Sequence, residues 1–491
     1  MRYANPILPG FHPDPSVCRV GDWFYMVTST FQFFPGIPVR RSRDLCDWEI
    51  VGFGIDRFSG IDLRRAGPSR GLFAPTIRHD GRGFFITCTE VDGLGNFFLR
   101  ADEAEGPWSD PIPLAVGGID PSLFFEGETA YLCSNGSAED GDGISLCVID
   151  RESGAVLDGP RRICPGSGGR WPEGPHLYKL GGTYYLIISE GGTEYGHMVS
   201  AFRSHSPWGP YEACPRNPFL SHRDAGAEAV QCVGHADIVE DGAGSWWLFC
   251  LGTRPLGPLL HNLGRETFLA PLAWDRDGWP IAGPIRLQME GPLPSPPGHG
   301  PARTLTWVDD FAAPRLDPAW TSARSRPEGA HVRALGDAGG LELAGAGVGL
   351  SESLGAPALL CRPQEALECV FEALVDFEPR AEGDEAGICA YYDERYHYEA
   401  AVARRSGSRV LLLRRRVHDL ELESTPIPVP DSGTILLRLA ADREAYAFSF
   451  ACAGASTCSN AGAGAGRSGR LGSGSAAGLC TEGTMSMSFT G

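Results

Sequence analysis

The hydrophobic and polar positions of this chain repeat one figure: a Gly or polar turn, then a dense run of aromatic and β-branched residues. It occurs in "GDWFYMVTS", "GRGFFITCT", "EGETAYLCSN", "GGTYYLIIS" and "GAGSWWLFC". Each reads as a strand entered from a tight hairpin. With Tyr25, Phe85, Tyr131, Tyr185 and Trp247 as equivalent positions, the spacings are 60, 46, 54 and 62 residues. Ten residues upstream of these stand Pro15, Pro75, Pro121, Pro175 and Asp237, in "HPDPS", "FAPTI", "IDPSL", "EGPHL" and "HADIV". Helical periodicity is scarce, and 65 Gly and 39 Pro suit short strands joined by turns. The predicted class is all-β. Five units of about 50 residues predict a five-bladed β-propeller over residues 1–290.

In a propeller the innermost strand of each blade lines the central channel, so residues at the strand heads converge. Those residues are Asp14, Ala74, Asp120, Gly174 with Glu173 beside it, and Ala236 with His235 beside it. Three carboxylates and a histidine, far apart in sequence, would share one funnel. Asp14 lies between two prolines, which leave its backbone few options. Carboxylates gathered in a cleft push one another's pKa apart, so one stays protonated while another is ionised. An acid and a base flanking an acetal oxygen is what glycoside hydrolysis requires, and inverting enzymes separate the two by about 6.5–9.5 Å to admit water. Phe31, Phe34 and Phe73 offer flat apolar faces for a sugar ring.

Charge and composition narrow the partners. The net charge is -19, from 61 acidic and 42 basic residues, and no basic stripe interleaved with aromatics is present, which argues against nucleic acid. The run Arg414 to Arg416 in "LLLRRRVHD" reads as a solvated strand end. No apolar run has signal-peptide or membrane-span character. Fifteen cysteines without a Cys-x-x-Cys pair read as reduced thiols, and the expected location is the cytoplasm.

"GPLPSPPGHGPART", residues 291–304, reads as a Pro/Gly-rich linker. Beyond it, 305–491 carries alternating strand patterns, beginning with "TWVDDFAAPRLDPAW" and "GICAYYDERYHYEAAVARR", that predict a β-sandwich. From about Ala451 the chain is nearly pure small residues, and composition predicts a poorly ordered or truncated end. Phe489 is its one candidate for an aromatic reaching the pocket.

"PGFHPDPSVCRVGDWFYMVTSTFQFFPGIPV", "GIDPSLFF", "WPEGPHLYK", "GGTEYGH", "GHADIVE" and "LGRETFLAPLAW", in this order, resemble the β-xylosidases of glycoside hydrolase family 43. The resemblance spans the propeller and continues into the second domain. It implies that Asp14 is the general base that activates water and Glu173 the general acid. Asp120 would tune and orient that acid. Arg265 would bond sugar hydroxyls, with Phe31, Phe73, Ala74 and Thr193 completing the subsite. The implied activity is exo-acting and inverting, releasing xylose from non-reducing ends of β-1,4-xylooligosaccharides. An α-L-arabinofuranosidase, or an enzyme with both activities, is the near alternative; an inactive carbohydrate-binding propeller is the distant one. No cofactor is required for the chemistry, although the resemblance makes His235 a candidate contact for Ca²⁺ in the channel. His12, His176 and His197 read as supporting residues. Relatives are often dimers or tetramers, so a homo-oligomer is expected. One departure is that Phe73-Ala74-Pro75 stands where the family carries Trp-Ala-Pro, which bears on sugar preference.

Overall fold

The computed structural model describes residues 1–136, 143–226, 230–257, 260–294, 306–326, 331–336, 339–452, 459–460 and 476–482. The first domain consists of five antiparallel blades. Their innermost strands are Ser16–Val20, Leu72–His79, Ser122–Glu126, Glu173–Leu180 and Gln231–Glu240, and each packs against the next around a closed ring. Each is followed outward in chain order by three more, and Leu220–Ser221 adds a fifth strand to blade four.

The repeated turn signals do the work the sequence implies. In blades one, three and four the two inner strands join through two-residue turns that begin at Gly21, Gly127 and Gly181. Those glycines have φ between +54° and +60°, and an added Cβ would meet nothing within 4 Å, so the backbone angle alone selects glycine. The aromatic runs that follow fill the spaces between blades. Val27, Ile37 and Val39 of blade one pack with Ile77, Ile86 and Phe97 of blade two. The ring is closed by Arg2–Ala4, which pairs antiparallel with Gln288–Glu290.

One buried carboxylate ties four blades at the axis. Asp237 accepts from Ser16 Oγ at 2.7 Å, from Val17 N at 2.9 Å, from Arg78 at 2.8 and 3.1 Å, and from the Tyr178 hydroxyl. Burial alone would raise its pKa, but Arg78 and the other donors hold it well below the carboxylate range.

The second domain is a sandwich of two sheets. Cys369–Val375, Ile435–Ala441 and Tyr446–Cys452 lie in one; Ala358–Pro363, Glu385–Asp393, Tyr396–Arg405 and Ser408–Val417 lie in the other. Alternate residues Phe371, Ala373 and Val375 face Ile388, Tyr398, Ala400 and Val402 across the core. Within the small-residue stretch, Ser459–Asn460 is a strand, and Ala476–Glu482 pairs with both Ala358–Pro363 and Glu385–Asp393. Phe489 lies outside the described residues, as does the linker from 295 onward.

The arginine run departs from the expectation of a solvated strand end. Arg414 is buried and pairs with Glu385 at 3.0 Å, with Glu423 at 3.1 Å and with Glu399. Strand alternation explains this, because Arg415 points to solvent while its neighbours on either side share the face that carries the acids.

The domains are joined through blade one. Phe33–Phe34 pairs with Ser322–Ala323, Arg324 N donates to Gln32 O at 2.7 Å, and buried Arg324 forms an ion pair with Glu394. This joint brings Tyr392 against the propeller, where its hydroxyl lies 3.2 Å from Ser69 Oγ.

Candidate active site

Each of the five inner strands carries one residue in the left-handed region, either just before the strand or within its first half: Asp14 (φ 56°), Ala74 (38°), Asp120 (57°), Gly174 (55°) and His235 (48°). Four of these are not glycine, and holding such a residue there costs on the order of 1–3 kcal/mol. The strain recurs at every strand head, where the chain turns its side chains into the channel mouth. In blade five the position falls one residue earlier than the repeat predicts. A bulge between Gly234 and Asp237, like those between Phe73 and Thr76 and between Glu173 and His176, puts His235 at the pocket and Ala236 in the blade interior. The offset arises because the hairpin loop 241–245 is one residue longer than its counterpart 80–83.

The pocket at this mouth has a volume of about 260 Å³. It gathers Asp14, Asp120, Glu173, Arg265, Phe31, Phe73, Ala74, Thr193 and His235, all singled out from sequence. Phe34 is not among them. It is fully buried and stacks on Phe58 at 4.8 Å, while its neighbour Phe33 lines the pocket, since adjacent strand residues face opposite ways.

Asp14 is 5% exposed and doubly held: Oδ2 accepts from Ser29 Oγ at 2.6 Å and Oδ1 from Arg265 Nη1 at 3.2 Å. Burial would raise its pKa, but the cationic Arg265, His235 at 3.7 Å and the Ser29 bond outweigh burial and hold it below the carboxylate range. Ser29 Oγ also accepts from Ala74 N at 2.7 Å, so one hydroxyl couples the strand heads of blades one and two.

Glu173 behaves in the opposite way. Burial, reinforced by the negative Asp14, pushes its carboxyl up to about 7, with Arg265 opposing. Its Oε1 is buried with no hydrogen-bond partner among the described residues. Asp120 is 4% exposed and accepts from Gly174 N at 2.9 Å. Burial and its acidic neighbours Glu173 and Asp14 raise its pKa against the pull of His235. Two adjacent buried carboxyls therefore resist ionising together. Gly174 is required for close approach as well as for φ, because a Cβ there would stand 3.0 Å from the His235 ring.

Phe31 anchors the apolar wall. Its ring stacks on Phe11 at 5.5 Å, meets Phe73 edge-on at 4.9 Å and lies 5.3 Å beneath the Arg265 guanidinium. Backbone bonds in both directions between Phe31 and Leu72 fix it to blade two. The sequence reading missed Phe11, Gln32, Phe33, Ser69, Ile119 and Tyr392, which also line the pocket. Phe11 stands inside the "GFHPDPS" motif and could have been found there; Tyr392 comes from the other domain and carries no local signal. Gln32 is buried, and its Oε1 has no partner among the described residues, so it is a ready acceptor for a ligand hydroxyl.

The remaining histidines support the floor. The ring of buried His197 packs on Gly234, where a Cβ would meet it at 2.2 Å, and His176 Nδ1 lies 2.9 Å from Arg78. Burial depresses both imidazoles to about 3, so they are neutral. A calcium ion beside His235 would draw most of its ligands from water. Calcium takes about 6–8 oxygen ligands, whereas no three His, Cys, Asp or Glu side chains converge to hold a metal among the described residues.

Residues 3–280 match the family model "Glycosyl hydrolases family 43", and residues 308–478 match "Beta xylosidase C-terminal Concanavalin A-like domain". The chain is 38% identical over 434 residues to the non-reducing end alpha-L-arabinofuranosidase BoGH43B of Bacteroides ovatus, covering 86% of this chain and 80% of that one. It is 32% identical over 422 residues to a beta-xylosidase of Bacillus subtilis, covering 80% and 78%. Among solved structures, a xylan beta-1,4-xylosidase from Bacillus halodurans superposes with a TM-score of 0.88 at 30% identity, covering 99% of this chain and 98% of that one.

Proposed function

The chain belongs to glycoside hydrolase family 43, and from that premise we propose that it is an exo-acting, inverting β-xylosidase that removes single xylose units from non-reducing ends of β-1,4-xylooligosaccharides. The observation that carries this reading is the opposed perturbation of two carboxyls in one pocket, Glu173 raised to about 7 and Asp14 lowered. Near neutral pH a large share of Glu173 keeps its proton while Asp14 is ionised, which is the division of labour an acid and a base need.

In the proposed reaction the terminal sugar lies against Phe31 and Phe73, with its hydroxyls toward Arg265 and Gln32. Asp14 takes a proton from a water, which attacks the anomeric carbon from the face opposite the leaving group. Glu173 gives its proton to the departing glycosidic oxygen. The carbon–oxygen bond breaks as the new one forms, and the configuration inverts. Asp120 receives the Gly174 N–H and orients the loop that carries Glu173. Tyr392 and Ser69 close the pocket against the sandwich and favour a chain end over a chain interior.

A second reading, α-L-arabinofuranosidase activity, has its own support: the Bacteroides ovatus relative carries that name, and Phe73 changes the ring that faces the sugar. Proton NMR of xylobiose hydrolysis by the wild type and by Glu173→Ala decides the matter. Initial α-xylose from the wild type, greatly reduced in the variant, is the expected result. Initial β-xylose refutes inversion. Cleavage of an aryl arabinofuranoside without turnover of xylobiose selects the second reading.

A further inference from the structure

A second cavity, of about 310 Å³, lies between blade one and the sandwich. Its walls include Arg40, Trp48 and Phe53 from the propeller, with Trp320, Arg362 and Glu365 from the sandwich. Phe11 and Phe33 separate it from the active pocket, since both rings line both spaces. The reaction proposed above makes no use of it.

Arg40 sets its chemistry. The residue is 5% exposed, yet its side chain donates at long range to a hydroxyl, Thr28 Oγ1 at 3.3 Å, and to an imidazole, His12 Nδ1 at 3.4 Å. Among the described residues, no carboxylate forms an ion pair with it. The other three buried arginines among the described residues have carboxylate or carbonyl partners. Arg324 pairs with Glu394, Arg414 with Glu385, and Arg409 donates to the carbonyls of Phe377, Pro430 and Gly433. A buried guanidinium without an anion carries an unrecovered desolvation penalty. Burial accordingly depresses Arg40 to about 10, with Glu365 on the same cavity wall opposing.

The second cation on the wall is Arg362, stacked 4.4 Å over Trp307 and 5.5 Å over Trp320, with Asp317 no nearer than 3.8 Å. The lining itself holds two guanidinium groups and one exposed carboxylate, Glu365, while Asp317, outside the lining, pairs only at 3.8 Å with Arg362. Beside the cations lie the flat apolar surfaces of Trp48, Phe53 and Trp320. Guanidinium forks match carboxylates, and aromatic faces match the apolar face of a ring.

We infer that this interdomain cavity binds a carboxylate carried on a ring, with the anion on Arg40 and Arg362 and the ring against the tryptophans. A hexuronic acid and an aromatic acid share that chemistry. The test is isothermal titration of the full chain, with D-xylose present throughout to occupy the active pocket. The probes are D-glucuronate and benzoate, with D-glucose and benzyl alcohol as their neutral counterparts. The expected result is saturable one-site binding of at least one acid and none of its neutral counterpart, weakened about tenfold or more in Arg40→Gln and in Arg362→Gln. Which acid binds identifies the source. Should Arg40→Gln fail to fold, Arg362→Gln and the cavity-filling Ala319→Phe carry the test. Absence of saturable binding by both acids, or binding undiminished in the folded variants, overturns the inference.

Discussion

Replacing Arg265 with Gln removes the guanidinium that lies 3.2 Å from Asp14 Oδ1. That cation lowers the pKa of Asp14 and also of Glu173, so its loss moves both upward. A hydrogen bond to a charged group contributes about 1.5–3 kcal/mol, and one pKa unit corresponds to about 1.4 kcal/mol. Asp14 should therefore rise by about one to two units. Glu173, which makes no direct bond to Arg265, should rise by less. On the proposed roles, the acid limb of activity reports Asp14, which acts as the ionised base, and the alkaline limb reports Glu173, which acts as the protonated acid. Wild-type activity should fall as pH rises through about 7, where Glu173 ionises. In Arg265→Gln both limbs should move to higher pH, the acid limb further, so that the profile narrows as well as shifts. Its height should fall roughly tenfold to a hundredfold from the lost contact. The assay is kcat/KM for xylobiose across the acid to mildly alkaline range, each profile normalised to its own maximum. Superimposable profiles, or a shift toward acid, would refute the electrostatic assignment.

Gly174→Ala places a Cβ 3.0 Å from the His235 ring at φ +55°, and should destabilise by about 1–2 kcal/mol while lowering kcat; an unchanged denaturation midpoint sinks this reading. Asp237→Asn breaks the buried tie among four blades and should cost about 3–5 kcal/mol at neutral pH, measured by urea unfolding. Because the folded-state pKa of Asp237 is depressed, its contribution is present above the ordinary carboxylate range and lost as pH falls below it. The gap between wild type and variant should accordingly narrow in acid. Tyr392→Ala removes a pocket-lining ring whose hydroxyl accepts from Ser69 Oγ at 3.2 Å and should raise KM for xylobiose roughly three- to tenfold with little change in kcat. Equal KM values would show that the sandwich does not shape the pocket.

Much of the site could be read because the propeller repeats its own register. Asp14 and Asp120 stand at equivalent positions before the same recurring hairpin, with Glu173 beside the equivalent Gly174, and a closed ring of five such units must bring them together. Where the repeat is imperfect the reading slipped. The first hairpin loop of blade five, 241–245, is one residue longer than its counterpart 80–83 in blade two, so His235 takes the position that the register gave to Ala236. Phe34 was placed on the pocket wall by its composition, yet side chains alternate along a strand and it is Phe33 that faces the site. Arg414 to Arg416 carry no sign of burial in their own sequence, because the acids that neutralise Arg414 arrive from Glu385, Glu399 and Glu423 on other strands.

The sequence by itself determined what is periodic and local: strand rather than helix, the hairpins that glycine permits, the number of blades, and the acids fixed to each strand head. Only the tertiary structure decided which acid keeps its proton. Asp14 and Glu173 have the same functional group, and what separates them is Ser29 and Arg265 bonded to the first and, on the second, a buried oxygen with no hydrogen-bond partner among the described residues. Desolvation and charge act over a few ångströms through space, and residues 29, 265 and 392 become neighbours of residue 14 or of its pocket only when the ring closes and the sandwich docks.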